Sequence, residues 1–239
     1  MLIAIVPVFN EETNIISFLD KLTQQVAYII IINDGSSDKT GILILDWLKD
    51  KKNTSYFSFE KNKGMSTALL EGFKLIDKEY KSKRFSGDDL VITIDGDGQH
   101  DPLEIIGMYT YFVNNNLDIL IAKRDLSNYP VYRVIGNKLI SFINSLIGKF
   151  KFSDIESGFK MLKVAFVPSL LTYYSGFRYS CASEIAIIAS LLKYKIDNSY
   201  TVRIPYYRKR VGCPGAIDFF INIASSLVAV LKIRINKMA

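Results

Sequence analysis

The sequence has little of what marks a secreted, zinc-binding or membrane-spanning protein. Its 239 residues include two cysteines, Cys181 and Cys213, which form neither a CxxC pair nor a disulfide framework. The single histidine, His100, excludes a multi-histidine zinc site and confines any Ser-His-Asp arrangement to one position. No signal-peptide pattern opens the sequence, and no apolar run reaches the roughly 18 residues of a membrane span. We therefore expect a protein of the reducing cytoplasm.

Familiar phosphate-binding motifs are missing as well. There is no GxxxxGK[ST] loop, and no GxGxxG follows the first apolar run, which excludes P-loop NTPases and dinucleotide-dependent oxidoreductases. A sugar-nucleotide pyrophosphorylase is disfavoured because no glycine-rich, arginine-containing loop follows that run. A net charge of +6 still favours an anionic partner, such as a nucleotide, a phospholipid surface or a nucleic acid.

What the first half does contain is an alternation of strand and helix patterns. Four strand-like runs, LIAIVPVFN, YIIIIN, TSYFSF and DDLVITI, are each followed by a helical pattern. Such alternation predicts an α/β fold with a mostly parallel central sheet flanked by helices. Ligands of these sheets bind at the carboxyl ends of the strands, which is where Glu11, Asp34, Asp95 and Asp97 fall.

The second half follows another plan. From about residue 124 the alternation gives way to a basic, aromatic-containing loop and an amphipathic helix, then a helix around 182–194 and the strand-like SYTVRIPYYRKR. We predict one domain over 1–215, with a nucleotide-binding half at about 1–123 and a different second half at about 124–215. Residues 216–239 form an amphipathic C-terminal helix in this prediction.

The C-terminal helix has an apolar stripe with cations at its end. Positions 217, 221, 224, 227, 228 and 231 share one face and are all apolar, and Lys232, Arg234 and Lys237 follow. This pattern is typical of a helix lying on an anionic membrane surface, and equally of a helix docked on the protein core or on a second subunit. Both interpretations stay open at this point.

The stretch VITIDGDGQHDP ends a predicted strand with two carboxylates separated by one glycine. Asp95 and Asp97 repel each other unless a cation or hydrogen-bond donors lie between them. A calcium loop of the EF-hand type is excluded, since it needs glycine where His100 stands and glutamate where Ile106 stands. Mg²⁺ or Mn²⁺ fits better, because one or two carboxylates and a substrate's phosphates commonly hold it, and Gln99 can add a carbonyl oxygen.

The other residues of this stretch have structural interpretations. Asp101, Pro102 and Glu104 match an N-cap, a first helical position and a capping-box acid, so we predict that a helix starts here. His100 lies between the predicted metal site and this cap. A solvated or supporting role is favoured for it over that of a catalytic base.

Eight segments in order resemble one enzyme family. The segments are PVFNEE (7–12), INDGSSDKT (32–40), NKGMSTALLEGF (62–73), DGDGQHDP (95–102), RVIGNKLIS (133–141), SDIESGF (153–159), Glu184 and IPYYRKRVG (204–212). The first four are similar to the ordered motifs of the family 2 inverting glycosyltransferases with a GT-A fold. The last four are similar to its polyprenyl-phosphate branch, which includes dolichyl-phosphate mannose synthase. Their order along residues 2–215 carries the resemblance, since each motif alone is weak.

On the donor side, the resemblance implies a nucleoside-diphosphate sugar (UDP- or GDP-hexose) and a divalent metal, Mg²⁺ or Mn²⁺. The nucleotide-sugar pocket would be lined by Pro7, Glu11, Asp34, Gly64 and Asp95. The metal would be bound by Asp97 and Gln99, and Asp97 would thereby act in catalysis.

On the acceptor side, the resemblance implies a polyprenyl phosphate, such as dolichyl or undecaprenyl phosphate. The residues that would bind this phosphate are Arg124, Arg133, Ser157, Arg208 and Arg210. Guanidinium groups suit the task because they bind phosphate bidentately and stay charged. The last motif departs from the branch, since Cys213 and Pro214 stand in the region of its usual Ser-Lys pair. Arg208 and Arg210 would then have to supply the contact of the missing lysine.

Glu184 has an implied role that depends on the acceptor. A phosphate acceptor is already an anionic nucleophile, so Glu184 would only orient it. A hydroxyl acceptor needs a base, and Glu184 is then the candidate.

The sequence therefore predicts a metal-dependent inverting transfer of a hexose to a polyprenyl phosphate. The protein would be peripheral to the cytoplasmic face of the membrane and would contact the membrane surface or a membrane subunit. One alternative is transfer to a saccharide or lipid hydroxyl in the synthesis of cell-surface polysaccharide or glycolipid. A more distant alternative is a non-catalytic protein that binds nucleic acid or membrane.

Overall fold

A computed structural model describes residues 1–176, 180–204 and 216–238 of the protein. The strands of this part are β1 (Leu2–Val8), β2 (Tyr28–Asn33), β3 (Thr54–Ser58), β4 (Leu90–Thr93), β5 (Ile119–Ile121), β6 (Lys123–Arg124), β7 (Lys160–Lys163), β8 (Ile196–Asp197) and β9 (Thr201–Val202). The α-helices are α1 (Ile15–Leu22), α2 (Thr40–Trp47), α3 (Met65–Lys81), α4 (Glu104–Asn114), α5 (Val131–Gly148), α6 (Val167–Tyr173), α7 (Cys181–Leu191) and α8 (Ala216–Met238).

Seven strands form one mixed sheet in the order β3-β2-β1-β4-β7-β5-β8. The first four of these strands pair in parallel, as do β5 and β8, whereas β7 runs antiparallel to both of its neighbours. A short parallel pair, β6 with β9, lies outside this sheet. The mostly parallel α/β sheet expected from the alternation is confirmed, with one reversed strand that the alternation does not predict.

Helices cover both faces of the sheet because the central strands are apolar on both sides. β2 is buried along its whole length, as parallel strands covered on both faces usually are. One core layer lies between the sheet and α3, α6 and α7, and it includes Ile30 and Phe73. The other lies between the sheet and α1, α2 and α4, and it includes Ile31 and Met108.

The second half of the chain adds helices to the first of these layers. α7 is buried from Cys181 to Ala189 and contacts α3, α5, α6 and α8. A helix that is apolar on all sides belongs to the interior of a domain. α5 and α8 therefore lie outside α7. Within the three described ranges, no helix is long and apolar enough to cross a membrane.

Two boundaries in the second half differ from the prediction. The helix expected around 182–194 is α7, which ends at Leu191. Within its described residues, 199–204, the strand-like SYTVRIPYYRKR contributes β9, over Thr201–Val202, where β6 offers a partner of just two residues. Residues 205–215 lie outside the described ranges.

The start of α4 also differs from the prediction. The helix begins at Glu104 rather than at Pro102. Asp101 first closes a turn, in which its Oδ1 accepts the Leu103 N–H at 3.1 Å and its carbonyl accepts the Glu104 N–H at 3.1 Å. Asp101 thus satisfies donors at the helix entry, but from a turn that precedes the first helical residue.

We predict that close packing of α3 on β1 makes Gly72→Ala destabilising. A Cβ at Gly72 would lie 2.4 Å from Cγ2 of the buried Ile5, so the free energy of unfolding should fall by about 1–3 kcal/mol. Gly136→Ala is the matched control, because a Cβ there meets no atom within 4 Å and alanine favours a helix over glycine by about 1 kcal/mol. Urea denaturation of both variants measures the difference. Equal stability of the two variants would contradict this packing.

Candidate active site

The ends of β1, β2 and β4 meet at one edge of the sheet. The register of β1 and β2 pairs Val8 with Asn33, and the Asp34 N–H donates to the Val8 carbonyl at 2.8 Å. Beyond β4, the Gly96 N–H donates to the Pro7 carbonyl at 3.1 Å. Backbone pairing therefore brings together the polar ends of the three strands, which the sequence analysis predicts to line the nucleotide-sugar pocket.

Asp34 joins the end of β2 to the turn before α3. It is buried, its Oδ1 accepts the Lys63 N–H at 2.8 Å, and its Oδ2 accepts the Gly64 N–H at 2.9 Å. Burial raises the pKa of Asp34, although these two hydrogen bonds oppose the rise. Gly64 has a φ of 92°, a conformation that glycine adopts at little cost. Both residues thus shape the edge of the site through the backbone.

Glu11 lies in a loop that is cross-linked to the loop before α2. Its N–H donates to Thr40 Oγ1 at 2.7 Å, and its own side chain is buried. The neighbouring loop residues repeat the pattern, since Asn10 N–H donates to Ser36 Oγ at 3.0 Å and Lys39 N–H to Glu12 Oε2 at 3.0 Å. These contacts fix the two loops that border the polar strand ends. Thr40 carries no sequence signal that sets it apart from other turn residues.

Asp95 and Asp97 stand at the centre of this edge. The Asp95 carboxylate faces Gly158, where a Cβ would lie 3.3 Å from its Oδ2. Burial raises the pKa of Asp95 to about 6, against the opposing charges of Lys160 and Arg124. Its side chain keeps 28% of its surface open to solvent, which limits that rise. Asp97 Oδ1 accepts the Gln99 N–H at 2.9 Å. The carboxylate of Asp97 thus closes the turn from Asp97 to Gln99.

The oxygen atoms of this turn suit a hard divalent cation. Asp95, Asp97 and Gln99 offer carboxylate and amide oxygens, which Mg²⁺ and Mn²⁺ prefer. Within the described ranges, no group of three or more His, Cys, Asp or Glu side chains could hold a metal ion. A cation at this turn would therefore need further oxygen ligands from a substrate, as Mg²⁺ held by one or two carboxylates and a phosphate does.

His100 supports Asp95 from inside the protein. Its ring is buried and stacks on Phe159, with 4.8 Å between the ring centres. Its Nδ1 accepts the Asp95 N–H at 3.2 Å, so the neutral ring carries its proton on Nε2. Burial lowers the pKa of His100 to about 4, although the Asp97 carboxylate opposes this. Of the roles open from the sequence, the structure places His100 in the supporting one.

Arg124 is bound within the protein. Its Nε donates to Asp154 Oδ2 at 2.8 Å, and its Nη2 donates to Asp154 Oδ1 at 2.8 Å and to Asn137 Oδ1 at 3.1 Å. Although burial acts in the opposite direction, Arg124 holds the pKa of Asp154 below its ordinary range. The role of Arg124 at an acceptor phosphate, implied by the resemblance, stays a prediction. In the structure its guanidinium anchors β6 to the segment around the buried Asp154.

The other residues expected at the acceptor phosphate lie in different settings. Arg133 is half-buried in the first turn of α5, with its guanidinium carbon 5.8 Å from the Tyr132 ring centre. Ser157 is fully buried, and its Oγ has no hydrogen-bond partner among the described residues. Arg208 and Arg210 lie outside the described ranges. Of the five, Arg133 combines a described position with partly accessible surface.

Glu184 is enclosed by serines. It has no exposed surface, its Oε2 accepts the Ser175 N–H at 2.6 Å, and its Oε1 accepts the hydroxyls of Ser175 and Ser180 at 2.5 Å each. A general base must reach the proton that it removes. Among the described residues, Glu184 holds Ser175 and Ser180 together, and its role as a base or as an orienting group stays a prediction.

Lys160 is a residue of this region that the sequence patterns do not reveal. It is 1% exposed, and its Nζ donates to the Ser157 carbonyl. Burial lowers the pKa of Lys160 to about 8, while the carboxylates of Asp154 and Glu156 oppose the change. A lysine in a short polar-looking segment normally predicts solvent exposure, so the burial of Lys160 is known only from the structure.

Comparisons with known proteins agree with this geometry. The family model for glycosyl transferase family 2 matches residues 3–170. The chain is 28% identical over 210 residues to a UDP-N-acetylglucosamine–dolichyl-phosphate N-acetylglucosaminyltransferase of Methanococcus voltae, covering 80% of this chain and 81% of that one. It is 31% identical over 194 residues to a dolichol-phosphate mannosyltransferase of Pyrococcus furiosus, covering 73% of this chain and 49% of that one. The chain thus spans about half the length of the second relative.

A solved structure shows the same fold. Glucosyl-3-phosphoglycerate synthase from Mycobacterium tuberculosis, in complex with Mn²⁺, UDP-glucose and phosphoglyceric acid, superposes with a TM-score of 0.64. The alignment covers 97% of this chain and 78% of that one at 16% identity. At this identity the likeness establishes the fold, which is the GT-A fold expected from the sequence motifs.

We predict that the neutral state of His100 makes stability depend on pH. The ring has a pKa of about 4 when folded, against 6.5 ordinarily, so the unfolded chain binds more protons between these values. The contribution of His100 to the free energy of unfolding should be largest above pH 6.5 and fall by at most about 1.4 kcal/mol per pH unit on acidification towards 4. Asp95, whose pKa burial raises to about 6, contributes with the opposite sign over nearly the same range, so the His100 contribution is read as a difference between two chains. Because His100 is the single histidine, its ring protons can be followed by NMR without overlap.

The control for this prediction is His100→Gln, whose amide oxygen can still accept the Asp95 N–H. By urea denaturation between pH 6.5 and 4, acidification should lower the free energy of unfolding of the parent chain relative to that of this variant, because both chains share the contribution of Asp95 and only the parent has that of His100. An imidazole that titrates near pH 6.5 in the folded protein would contradict the buried, neutral state.

Proposed function

The chain belongs to glycosyl transferase family 2, and from that premise we propose that it transfers a hexose from a nucleoside-diphosphate sugar to a polyprenyl phosphate. It is a glycosyltransferase with a GT-A fold, so a nucleotide sugar is its donor class. In the proposed reaction an oxygen of the acceptor phosphate attacks the anomeric carbon as the bond to the diphosphate breaks. The nucleoside diphosphate leaves with that electron pair, and the anomeric configuration is inverted.

On the donor side, Asp97 and Gln99 would hold Mg²⁺ or Mn²⁺ at the turn after β4. When bound, the cation would offset the negative charge that develops on the departing diphosphate. Asp95 borders the same position, fixed from behind by His100 and Gly158. Pro7, Glu11, Asp34 and Gly64 would form the nucleotide pocket through the loops that they fix. The Mn²⁺ and UDP-glucose of the solved structural neighbour support this arrangement.

The observation that carries a lipid-borne acceptor is the reversed polarity of α5. The side of the helix packed on the protein contains polar residues, among them Asn137, Ser141 and Asn144. The outward side contains large apolar residues with 49–73% exposure: Val131, Tyr132, Ile135, Leu139, Phe142 and Leu146. A helix facing water has the opposite arrangement. A helix lying against the apolar part of a membrane interface has this one.

α8 extends the same feature. The stripe predicted from the sequence faces outward, with Leu227, Val228 and Leu231 exposed, while Ser225 and Ser226 are buried. Another side of α8, with Ala229 and Ile233, packs on the core. One side of this helix thus docks on the protein, and the exposed apolar residues on its other side support the proposed contact with a membrane surface. α5 contacts α8, and together they carry eleven of the nineteen large exposed hydrophobic residues of the described ranges.

Exposed cations accompany this apolar surface. Lys138 lies within α5, Lys149 and Lys151 follow this helix, and Arg234 lies near the end of α8. Basic residues beside an apolar helix face favour an anionic membrane, each by about 1 kcal/mol near the surface. Arg133 lies in the first turn of α5, the helix that carries this apolar surface, and would bind the acceptor phosphate bidentately. We therefore propose peripheral attachment through α5 and α8.

The enclosed position of Glu184 supports a phosphate acceptor over a hydroxyl. A phosphate oxygen is anionic and needs no base, whereas a hydroxyl must lose a proton to a group within hydrogen-bond reach. Glu184, the base candidate from the sequence, accepts its hydrogen bonds from Ser175 and Ser180. In the proposed reaction Glu184 keeps this segment in place.

The proposed function is tested by incubating the protein and Mn²⁺ or Mg²⁺ with vesicles that contain polyprenyl phosphate. Radiolabelled UDP-glucose, GDP-mannose and UDP-N-acetylglucosamine are supplied one at a time. Label in an acid-labile product of the organic phase is the expected result and names the donor. Label confined to water-soluble or acid-stable product would overturn the phosphate acceptor and favour a hydroxyl one.

We predict that Asp97→Ala retains the fold and loses metal-dependent turnover. The expected loss is roughly 100-fold or more, because a metal at a departing phosphate contributes several kcal/mol of transition-state stabilisation. Asp88→Ala is the control, since Asp88 is exposed in the loop before β4, at the opposite edge of the sheet. Turnover is measured in the same assay with and without EDTA, and the fold by circular dichroism. Full activity of the Asp97 variant would remove the metal assignment.

We predict that polar substitutions on the outward face of α5 weaken membrane binding. Leu139→Ser with Phe142→Ser removes apolar area that is 49% and 62% exposed, so partition into vesicles rich in anionic lipid should fall at least about tenfold. The matched control is Ile42→Ser with Leu45→Ser on α2, where the exposures are 71% and 54%. Sedimentation with vesicles measures binding.

Size-exclusion chromatography of the same variants tests the alternative that a second copy of the chain, rather than a membrane, covers this face. A parent dimer that dissociates in the Leu139 and Phe142 double variant would assign the surface to a second copy of the chain. Equal vesicle binding of the two double variants would contradict the membrane proposal.

A further inference from the structure

Lys160 is a cation enclosed at the start of β7. It is 1% exposed, and its register pairs it with Thr93 of β4 on one side and with Ile121 of β5 on the other. Lysine is almost never fully buried unless it is paired. The next two residues of the strand, Met161 and Leu162, are apolar and buried, so an apolar side chain at position 160 would suit the strand itself.

The side chains of Lys160 and Thr93 hold two successive carbonyl groups. Lys160 Nζ donates to the carbonyl of Ser157. Thr93 Oγ1 donates to the carbonyl of Gly158 at 2.6 Å. Because Thr93 and Lys160 are register partners, both donors come from the same level of the sheet. They clamp the turn formed by Ser157 and Gly158.

The Ser157–Gly158 turn packs against the carboxylate of Asp95. A Cβ at Gly158 would lie 3.3 Å from Asp95 Oδ2, so the carboxylate packs directly on the turn. The next residue, Phe159, stacks on His100, whose Nδ1 accepts the Asp95 N–H at 3.2 Å. The segment from Ser157 to Lys160 therefore contacts both the side chain and, through His100, the backbone of Asp95.

We propose that Lys160 is a positioning residue of the transferase, which holds the Ser157–Gly158 turn against Asp95. This inference rests on the proposed function, in which Asp95 borders the donor. This role would also explain why the charged ammonium of Lys160 is buried. A buried ammonium costs free energy unless it is paired and hydrogen-bonded, and the Asp95, Asp154 and Glu156 carboxylates lie close enough to interact with it.

The variants Lys160→Met and Lys160→Gln separate the clamp from simple packing. Methionine fills a similar volume without a donor, whereas the glutamine amide can still donate to the Ser157 carbonyl. Lys163→Met is the matched control, because Lys163 is on the same strand but pairs with Asp118 at 2.8 Å, away from the turn. We expect Lys160→Met to lower kcat at least tenfold with less than threefold change in the donor KM. Lys160→Gln should recover part of kcat, and Lys163→Met should match the parent.

The His100 ring provides a second readout that needs no turnover. It is the single histidine and stacks on Phe159, so displacement of the turn should shift its NMR signals in Lys160→Met and leave them unchanged in Lys163→Met. Folded Lys160→Met with parental His100 signals and kcat within twofold of the parent would overturn the proposal. If Lys160→Met does not fold, Thr93→Val tests the same turn from the other carbonyl, with the same two readouts and the same limits.

Failure of the proposed function is recognised separately. A parent chain that transfers none of the three sugars would overturn that function and with it the kinetic part of this inference. The NMR comparison would then still decide whether Lys160 holds the turn. A parent chain that is active, beside a Lys160→Met variant of equal kcat and unchanged His100 signals, would overturn the inference alone.

Discussion

Parallel pairing of β1 with β2 and β4 is the constraint on which the candidate site depends. Because all three strands run the same way, their polar ends meet at one edge without any long-range side-chain contact. The pairing continues past β4, where Gly96 bonds to Pro7 and keeps the Asp95–Asp97 turn beside β1. The loops that follow β1 and β2 are then close enough to cross-link through Thr40 and Ser36. The donor side is thus a product of backbone geometry first and of side chains second.

The charges of the site are arranged in two layers. The outer layer is acidic: Asp95 and Asp97 border the cleft, where the proposed donor brings further negative charge. The inner layer contains the cations Arg124 and Lys160, which are paired with Asp154 and with the Ser157 carbonyl. Low dielectric around the inner layer makes each of these interactions stronger than it would be at the surface. Because Arg124 and Lys160 lie on the protein side of Asp95, their charges can hold this carboxylate in place without occupying the position of a ligand in the cleft.

The sequence predicts the first half of the fold well and the second half less well, for physical reasons. Alternating apolar runs identify β1, β2, β3 and β4 because each strand is followed by its own helix. β7 has no such signal, since it is four residues long, runs antiparallel and begins with a lysine. Motif order locates Asp95, Asp97 and Asp34, whose places follow from strand ends. It cannot reveal that Arg124 is bound by Asp154, because that contact joins residues 30 apart through tertiary structure.

Hydrophobic periodicity has a related limit in α5 and α8. It finds an apolar stripe, but not whether that stripe faces protein or the medium. In both helices the stripe faces outward, and small polar residues face inward. α5 is 18 residues long, or about 27 Å, with Arg133 in its first turn and Asn137 in contact with Arg124. One helix therefore joins the polar interior beside Asp154 to an apolar exterior. In the proposed function, the hydrocarbon tail of the acceptor would lie along this apolar exterior and its anionic head near Arg133, whereas a saccharide or a nucleic acid would leave the apolar face uncovered.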